Sequence, residues 1–487
     1  MTNEKQHRIG LIGAISFVIG NSIGSGLFIT PTAILQQTNS VGAALSIWLL
    51  SAVISVMGAC SYIELGTSIR KSGSDFAYLC HVKWFSLAFS FMTTGCFLLY
   101  PGILTIQSQT FAQYFFEGCR IKIENPIHDY WIKTTVSFSL MIFLMFLNMF
   151  SVKTIVARFQ IATTIAKIGS TFLIIAIGFY YLIVNGKVEN LHDLFRGSTI
   201  TPLSISSAFF AGLFAYSGWD ILCMGVSDIE NPKRTLRLAV LIGMFVVSVV
   251  TIATNFSFFV VLSIPEILNS EAVATTFAQK TLGQAQYLMP FLICILLVGS
   301  INSTIYVGSR FLFSGACTNQ LPSFLAISNK KHNSPRAAVF YHVVIGMLLT
   351  FTGNAVTLIN SLSYVIWLQR AMSMVVILYI RFKNIPVHPG RVKMPLLLHF
   401  SFLLIILALV FTNGIQDPKA AVMGVGFLIV CLLIYFALVW DRALPRFDCY
   451  HHYSHLIGDK LTTMNGWLFD GIVDKTSDEA EEPINKE

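Results

Sequence analysis

Charged side chains are scarce in this chain of 487 residues. Asp, Glu, Lys and Arg make up 11% of it, whereas hydrophobic residues make up 55%; soluble domains carry about 25% charged residues. So large an apolar excess excludes a water-soluble fold. The intervals between the apolar runs are short, which excludes a separate soluble domain. No cleavable signal peptide is expected, because the first apolar run is too long and has no small-residue cleavage site.

Long apolar runs dominate the sequence instead. A helix needs about 20 apolar residues to cross a bilayer, and runs of this kind predict an all-α polytopic membrane protein with twelve transmembrane helices. The predicted spans are 9–35, 41–66, 86–116, 131–150, 159–184, 204–227, 237–262, 285–313, 337–353, 357–380, 395–413 and 419–440.

Lysine and arginine are unevenly divided between the intervals. One side carries most of them, including Arg70, Lys71 and Lys233, and the positive-inside rule assigns that side to the cytoplasm. With an even number of spans, both termini (1–8 and 441–487) are predicted to be cytoplasmic, in a multi-pass protein of the plasma membrane. The net charge of +8 reflects this asymmetry and favours contact with the lipid bilayer, so no nucleic-acid partner is expected.

A framework of disulfides is not expected either. Most of the nine cysteines fall within spans or on the cytoplasmic side, and Cys119 falls in an outside interval between the third and fourth spans. An unpaired extracellular cysteine indicates either an intermolecular bridge or a free thiol, and both remain open. The glycosylation motifs at Asn255 and Asn302 lie inside predicted spans, so a glycan would have to come from a partner.

The first apolar run contains a stretch that a continuous membrane helix would avoid. Residues 20–31 read GNSIGSGLFITP, and each glycine costs a helix about 1 kcal/mol relative to alanine. A break in lipid is tolerated where the freed backbone groups line a cavity. The carbonyls after Ser22 and Ile23 would end one half-helix, and the N–H groups of residues 25–27 would begin the next.

These two half-helix ends carry opposite partial charges. Together they fit the ammonium and the carboxylate of an α-amino acid, and glycine permits a ligand to approach the backbone. For Gly24-Ser25-Gly26 alone, a helix-packing contact is the commoner explanation. A second break five spans later, GLFAYSGWD at 212–220, favours a binding site. It predicts two inverted five-helix repeats, 9–184 and 185–380, followed by helices eleven and twelve in 381–440.

Ionisable residues inside membrane spans are costly and usually functional. Lys167 lies about 13 Å into the fifth span, where its ammonium could take the place of a sodium ion. Asp220, at the second break, has three possible roles: pairing with a cation, capping the second half of span six, which we favour, or contacting substrate. Trp219 and Phe214 flank this break and either pack or cover a ligand. Glu64 is interpreted as an interfacial anchor.

Five stretches resemble the solute carrier 7 family of amino acid transporters, specifically the light subunits of heteromeric amino acid transporters, within the amino acid–polyamine–organocation superfamily. The resemblance covers about residues 8–445. The stretches are IGSGLFITPT (23–32), SYIELGTSIRKSGSDFAYL (61–79), GLFAYSGWDILCMGVSDIENPKRTL (212–236), LNSEAVATTF (268–277) and GSINSTIYVGSRFLF (299–313).

This resemblance implies five-plus-five inverted repeats with broken helices one and six, and sodium-independent, largely obligatory exchange of amino acids. It also implies a role for individual residues. The substrate carboxylate falls on Gly24, Ser25 and Gly26; the ammonium on carbonyls at Ser22, Ile23, Phe214 and Ser217; the aromatic gate on Phe214 with Trp219 nearby; the lost sodium on Lys167; and the bridge to a single-span glycoprotein heavy chain on Cys119.

Two positions depart from the family pattern. Tyr100-Pro101 stands where a basic residue often precedes proline, and Asp220 stands where asparagine is usual. The expected substrate is a large neutral L-amino acid. The alternatives are exchange of cationic plus neutral amino acids, if the Asp220 carboxylate faces the side-chain pocket, and a non-transporting amino acid sensor. No nucleophile–base pair or metal cluster appears in the sequence, so neither an enzyme nor a cofactor is expected.

Overall fold

Helices make up most of the structure, which is a computed structural model. It describes residues 10–24, 26–71, 73–121, 123–149, 157–224, 226, 229–270, 272–317, 320–329, 334–352, 355–440, 448–469 and 472–473.

The α-helices follow one another along the chain with short connections. They are α1 (Leu11–Ser22), α2 (Gly26–Thr38), α3 (Val41–Ser68), α4 (Asp75–His81), α5 (Phe85–Thr94), α6 (Tyr100–Cys119), α7 (Pro126–Met149), α8 (Ala157–Ile183), α9 (Pro202–Ala215), α10 (Ile221–Met224), α11 (Pro232–Val261), α12 (Ile264–Leu268), α13 (Val273–Thr281), α14 (Leu288–Cys317), α15 (Arg336–Leu349), α16 (Ala355–Lys383), α17 (Leu396–Gln416), α18 (Pro418–Ile434) and α19 (Asp448–Phe469).

Shorter elements extend or join these helices. Two π-helical turns, Gly95–Leu99 and Tyr435–Val439, connect α5 to α6 and extend α18. Two short strands, β1 (Ile327–Ser328) and β2 (Ile472–Val473), pair in antiparallel orientation. The 3-10 turns are Glu189–Leu191, Gly283–Tyr287, Ser323–Ala326 and Thr350–Thr352.

Most predicted spans are present as long apolar helices. Within the described residues, nine helices are long and apolar enough to cross a membrane, and the α1–α2 pair, bent by 44°, makes a tenth. The sixth and ninth predicted spans appear as the shorter apolar helices α9 and α15. The predicted fold class, an all-α polytopic membrane protein, is confirmed, while the count of twelve spans stays a prediction.

Helix ends occur where the local sequence stops or starts them. Ser40 Oγ accepts the Ala43 N–H at the start of α3. Thr201 and Ser204 form a reciprocal capping box at the start of α9, which satisfies N–H groups that a first turn leaves without partners. Pro232 occupies the first turn of α11, where its missing N–H costs nothing.

Contacts between helices have the symmetry expected of an inverted repeat. The first half of span one, α1, packs against the second half of span six, α10, and α2 packs against α9. Likewise, α1 contacts α11 while α3 contacts α9, and α8 contacts α14 while α6 contacts α16. In each of these three comparisons, one contact becomes the other when every span of the first five is replaced by the corresponding span of the second five. The exact repeat boundaries at 184/185 and 380/381 stay predictions.

Glu64 is not an interfacial anchor, which corrects the interpretation of its motif. Its side chain is 1% exposed. Arg381 Nε and Nη2 each donate to it at 2.7 Å, the Met394 N–H donates at 2.7 Å, and His399 Nε2 lies 3.1 Å away. A buried carboxylate is tolerable when it is paired in this way, and this one ties α3 to α16 and α17. Its partners lie more than 300 residues along the chain, beyond the reach of local patterns.

Candidate functional site

The first predicted break is present. α1 ends at Ser22, Ile23 is extended with φ −79° and ψ 94°, and α2 begins at Gly26. The Ile23 N–H still donates to the Ile19 carbonyl at 2.9 Å, so it closes the first half-helix. Ser25 lies outside the described residues, and its contact with a carboxylate stays a prediction. The N–H groups in the first turn of α2 have no acceptor within their own helix.

The second break is also present and touches the first. α9 ends at Ala215, and Gly218 makes the following turn with φ +112°, a conformation that residues with a side chain rarely adopt. A Cβ at Gly218 would lie 2.5 Å from Asn21 Nδ2. This Asn21 Nδ2 donates to the Gly218 carbonyl at 3.4 Å. At the breaks themselves, the two broken spans therefore meet through the Asn21 amide and the Gly218 backbone.

A cavity of about 130 Å³ lies where the two breaks meet. A cavity of roughly 150 Å³ can hold benzene, so this one is slightly smaller than a cavity known to hold a small organic ligand. Both breaks line it, together with the first two turns of α6 and the middle of α14 and α16. The lining residues are Asn21, Ser22, Gly24, Gly26, Leu99, Tyr100, Ile103, Gln107, Phe214, Ala215, Ser217, Gly218, Asp220, Ile221, Met224, Thr304, Val307, Ile366 and Arg370.

Ser22 and Gly26, two residues of the first break that were predicted to bind substrate, both line the cavity. Ser22 Oγ is buried and has no hydrogen-bond partner in the described part of the chain. A buried unpaired hydroxyl is unfavourable unless a ligand or water satisfies it. Gly26 lines the cavity, yet a Cβ there would lie 2.8 Å from the Cα of Ala215. Both explanations of the small residues, packing and ligand access, therefore apply at Gly26.

The ammonium-binding carbonyls of the prediction differ in their availability. The Phe214 carbonyl accepts the Ser217 N–H at 3.2 Å and the Ser217 Oγ–H at 2.6 Å, which occupies both of its lone pairs. Ile23 is 3% exposed and packs in the core, so its side chain does not contribute to the cavity wall. The Phe214 ring does line the cavity and packs against Leu98 and Ile106.

Lys167 sits behind the first break. Its side chain is 1% exposed, and Nζ donates to the Gly20 carbonyl at 3.0 Å and to Ser300 Oγ at 2.8 Å. Gly20 belongs to the last turn of α1, the end of a helix that attracts positive charge. The ammonium thus joins α8 to α1 and α14 at a place where a cation stabilises the broken helix.

Arg370, in α16, was not predicted as a site residue, although a lone arginine in a long apolar run is itself a signal. It is 4% exposed and lines the cavity. Its guanidinium carbon lies 4.4 Å from the ring centre of Trp219 and 4.7 Å from that of Trp367. Arg370 Nη2 lies 3.8 Å from Asp220 Oδ1. Two aromatic faces and a carboxylate thus hold one buried cation.

Of the possible roles of Asp220, pairing with a cation has a described contact, the ion pair with Arg370. The favoured role, a cap on the second half of span six, has no hydrogen bond among the described residues and stays a prediction, as does contact with substrate. The helix that follows, Ile221–Met224, has four residues, too few to build a substantial dipole. Trp219 is 1% exposed and packs edge-on against Tyr62 at 4.9 Å. It supports Arg370 from outside the cavity wall.

A second cavity of about 30 Å³ adjoins the first and shares Tyr100, Asp220 and Arg370 with it. Asp75 lines it and accepts hydrogen bonds from Tyr62 Oη, from Ser373 Oγ at 2.6 Å and from Gln369 Nε2 at 2.8 Å. Tyr100, one of the two departures from the family pattern, thus lines both cavities. It follows the π-helical turn of span three, and such turns are frequent at functional sites.

Cys119 is the last residue of α6. Of the eight cysteines in the described segments, it is the exposed one. Its thiol is therefore accessible, as an intermolecular bridge requires, and the bridge itself stays a prediction.

Comparison with known proteins places these features in a family. The family model described as amino acid permease matches residues 9–439. Amino acid transporter protein 6 of Caenorhabditis elegans is 43% identical over 98% of this chain and 91% of its own length. The human cystine/glutamate transporter is 32% identical over 94% of this chain and 89% of its own length. The mouse Asc-type amino acid transporter 1 is 31% identical over 92% of this chain and 83% of its own length.

Proposed function

Because the chain belongs to the amino acid permease family, as its resemblance to solute carrier 7 transporters implied, we propose that it exchanges neutral L-amino acids across the plasma membrane without sodium. It is a multi-pass membrane protein with homologues that transport amino acids. The kind of amino acid, the exchange, the orientation with cytoplasmic termini and the heavy-chain partner belong to the proposal.

The meeting of the two breaks at one cavity carries this proposal. The substrate carboxylate binds at the start of α2, where N–H groups from Gly26 onward lack helical acceptors. The substrate ammonium binds at the end of α1, where carbonyls collect negative partial charge; at the end of α9, Ser217 already occupies the Phe214 carbonyl. Ser22 Oγ, buried and unpartnered in the described chain, adds one hydrogen bond to the substrate backbone. The Phe214 ring covers the ligand.

Neutral side chains are favoured because the two charged residues that line the 130 Å³ cavity, Asp220 and Arg370, are of opposite sign. Asp220 is paired with Arg370 at 3.8 Å, so neither presents an uncompensated charge to a substrate. A lysine side chain would have to displace Arg370 from Asp220, and a glutamate side chain would have to displace Asp220 from Arg370. Apolar residues on the remaining wall, Leu99, Ile103 and Val307 among them, suit an aliphatic or aromatic side chain.

Independence from sodium follows from Lys167. Its ammonium already bonds to the Gly20 carbonyl at the end of α1, where a bound cation would otherwise compensate the helix end. An exposed Cys119 supports a disulfide to a single-span glycoprotein heavy chain, with this chain as the light subunit.

Competition for uptake tests the side-chain preference. Purified chain in liposomes takes up labelled leucine in the presence of unlabelled leucine, arginine or glutamate, for the wild type, Asp220→Asn and Asp417→Asn. The last is a matched control, because Asp417 caps α18 away from the cavity. We expect leucine alone to compete in the wild type and the control, and glutamate to begin competing in Asp220→Asn, where Arg370 loses its partner. Arginine competition that disappears in Asp220→Asn would instead establish a cationic substrate.

A further inference from the structure

The C-terminal helix α19 is held against the ends of two membrane helices. Phe469 packs on Phe340 with ring centres 5.5 Å apart, and Tyr341 Oη bonds to Asn465 Oδ1 at 3.3 Å. Arg336 Nη1 donates to the Phe469 carbonyl at 3.0 Å and its Nε to the Met149 carbonyl at 3.2 Å. One guanidinium therefore satisfies the ends of both α19 and α7.

These contacts fix the depth of α19 relative to the bilayer. Arg336 is the first residue of α15, and Phe340 and Tyr341 lie in its next turn. The last turns of α19 are therefore level with the first turns of an apolar helix that lies at the predicted ninth span. For a helix that crosses the membrane as the predicted ninth span, that level corresponds to the headgroup region, where the hydrocarbon core begins.

The side of α19 that turns away from the protein is apolar. Trp467 is 86% exposed, and Leu456, Met464 and Leu468 are each about half exposed. At 100° per residue these four lie within an arc of about 120°. The buried residues Asn465 and Phe469 lie on the opposite side. Asp459 and Thr463, both exposed, border the apolar arc.

We propose that this apolar face of α19, formed by Leu456, Met464, Trp467 and Leu468, lies in the headgroup region of the adjoining lipid leaflet. An exposed tryptophan at this level suits the membrane–water interface, where its ring is half in hydrocarbon. Lys460, also within the arc, has a long stem that lets its ammonium reach the phosphates. Phe143 and Phe146 of α7 are also exposed, and the end of α7 is bound by the same arginine, Arg336, that binds the end of α19.

Lipid is favoured over a protein partner because it is already the neighbour of every span end. An amphipathic helix at the interface gains from apolar burial without a specific partner. The helix would thereby fix β1 to the membrane surface, since β1 packs on α19.

Photocrosslinking in proteoliposomes tests this placement with the full-length chain. The photoreactive residue p-benzoylphenylalanine is introduced in two pairs of variants, at Met464 or Thr463 and at Trp467 or Asp459. Vesicles contain tritiated phosphatidylcholine and phosphatidylserine, and labelled leucine uptake confirms that each variant is folded. Thr463 and Met464 are adjacent, so their comparison removes differences of depth.

We expect several-fold more lipid adduct at positions 464 and 467 than at 463 and 459. Equal lipid labelling within each pair would show that the face is not selectively immersed and would overturn the proposal. So would an adduct to a second protein chain at 464 or 467, because the face would then be a protein interface.

Discussion

Replacing Gly218 with alanine tests the contact between the two broken spans. The residue has φ +112°, and a Cβ would lie 2.5 Å from Asn21 Nδ2 and 3.2 Å from the Asn21 carbonyl carbon. The Asn21 amide can rotate away from the added Cβ. A change of rotamer relieves neither the close contact with the Asn21 backbone carbon nor the strain of the positive φ. A residue held in such a backbone conformation costs about 1–3 kcal/mol.

That cost translates into a loss of transport. If the geometry of the break is needed for binding, about 1–3 kcal/mol corresponds to a decrease of about 5-fold to 150-fold in substrate affinity. Labelled leucine uptake by equal amounts of monodisperse protein in liposomes measures it. The matched control is Gly426→Ala in α18, where a Cβ meets nothing within 4 Å. Uptake by Gly218→Ala within twofold of the control would refute the reasoning.

Four further changes have defined outcomes. Gly26→Val should abolish uptake by pushing α2 away from Ala215, whose Cα lies 2.8 Å from an added Cβ, and a measurable uptake signal at normal surface expression would contradict this. Lys167→Met removes two hydrogen bonds of a buried ammonium, each worth about 1.5–3 kcal/mol, so uptake should fall more than tenfold. Replacing sodium by choline should leave uptake by the wild type unchanged. A sodium requirement of the wild type would argue for symport. Cys119→Ser should lose a high-mass band on non-reducing gels of cells that express a heavy chain, with transport retained; a persistent band would exclude this cysteine. Hydrogen bonds from Lys280 and Ser263 lower the pKa of Glu266 from 4.5 to about 2, so they stabilise the α12–α13 segment above pH 4.5 and this contribution disappears as the pH falls through about 2. Glu266→Gln should therefore increase hydrogen exchange of residues 263–270 at pH 7, and unchanged protection would contradict the contact.

Local composition was sufficient to locate both breaks. Glycine in a membrane helix has a direct energetic consequence, and Gly218 does adopt the positive φ that only glycine tolerates easily. The depth of Lys167 also follows from counting residues along one helix. These features depend on neighbours in sequence, which is why periodicity and residue type predict them.

Partners distant in sequence could not be predicted in the same way. Arg370 lies 150 residues from Asp220 along the chain, and Arg381 bonds to Glu64 across 317 residues. Asp220 was therefore assigned to the nearest helix end, and Glu64 to the membrane interface. The free energy of either carboxylate depends on which cation the fold brings to it, and one sequence contains no record of that pairing. The direction of Trp219, behind the cavity wall, depends on the same packing.

Counterflow is the most direct measurement of the central claim, that two broken helices form an exchange site for a neutral amino acid. Liposomes containing the purified chain are loaded with unlabelled leucine, and labelled leucine is added outside in sodium-free buffer. An exchanger should accumulate label transiently above its equilibrium level, and Gly218→Ala should accumulate much less than the wild type. Absence of accumulation by folded wild-type protein that still binds leucine would contradict transport and would identify the chain as an amino acid sensor.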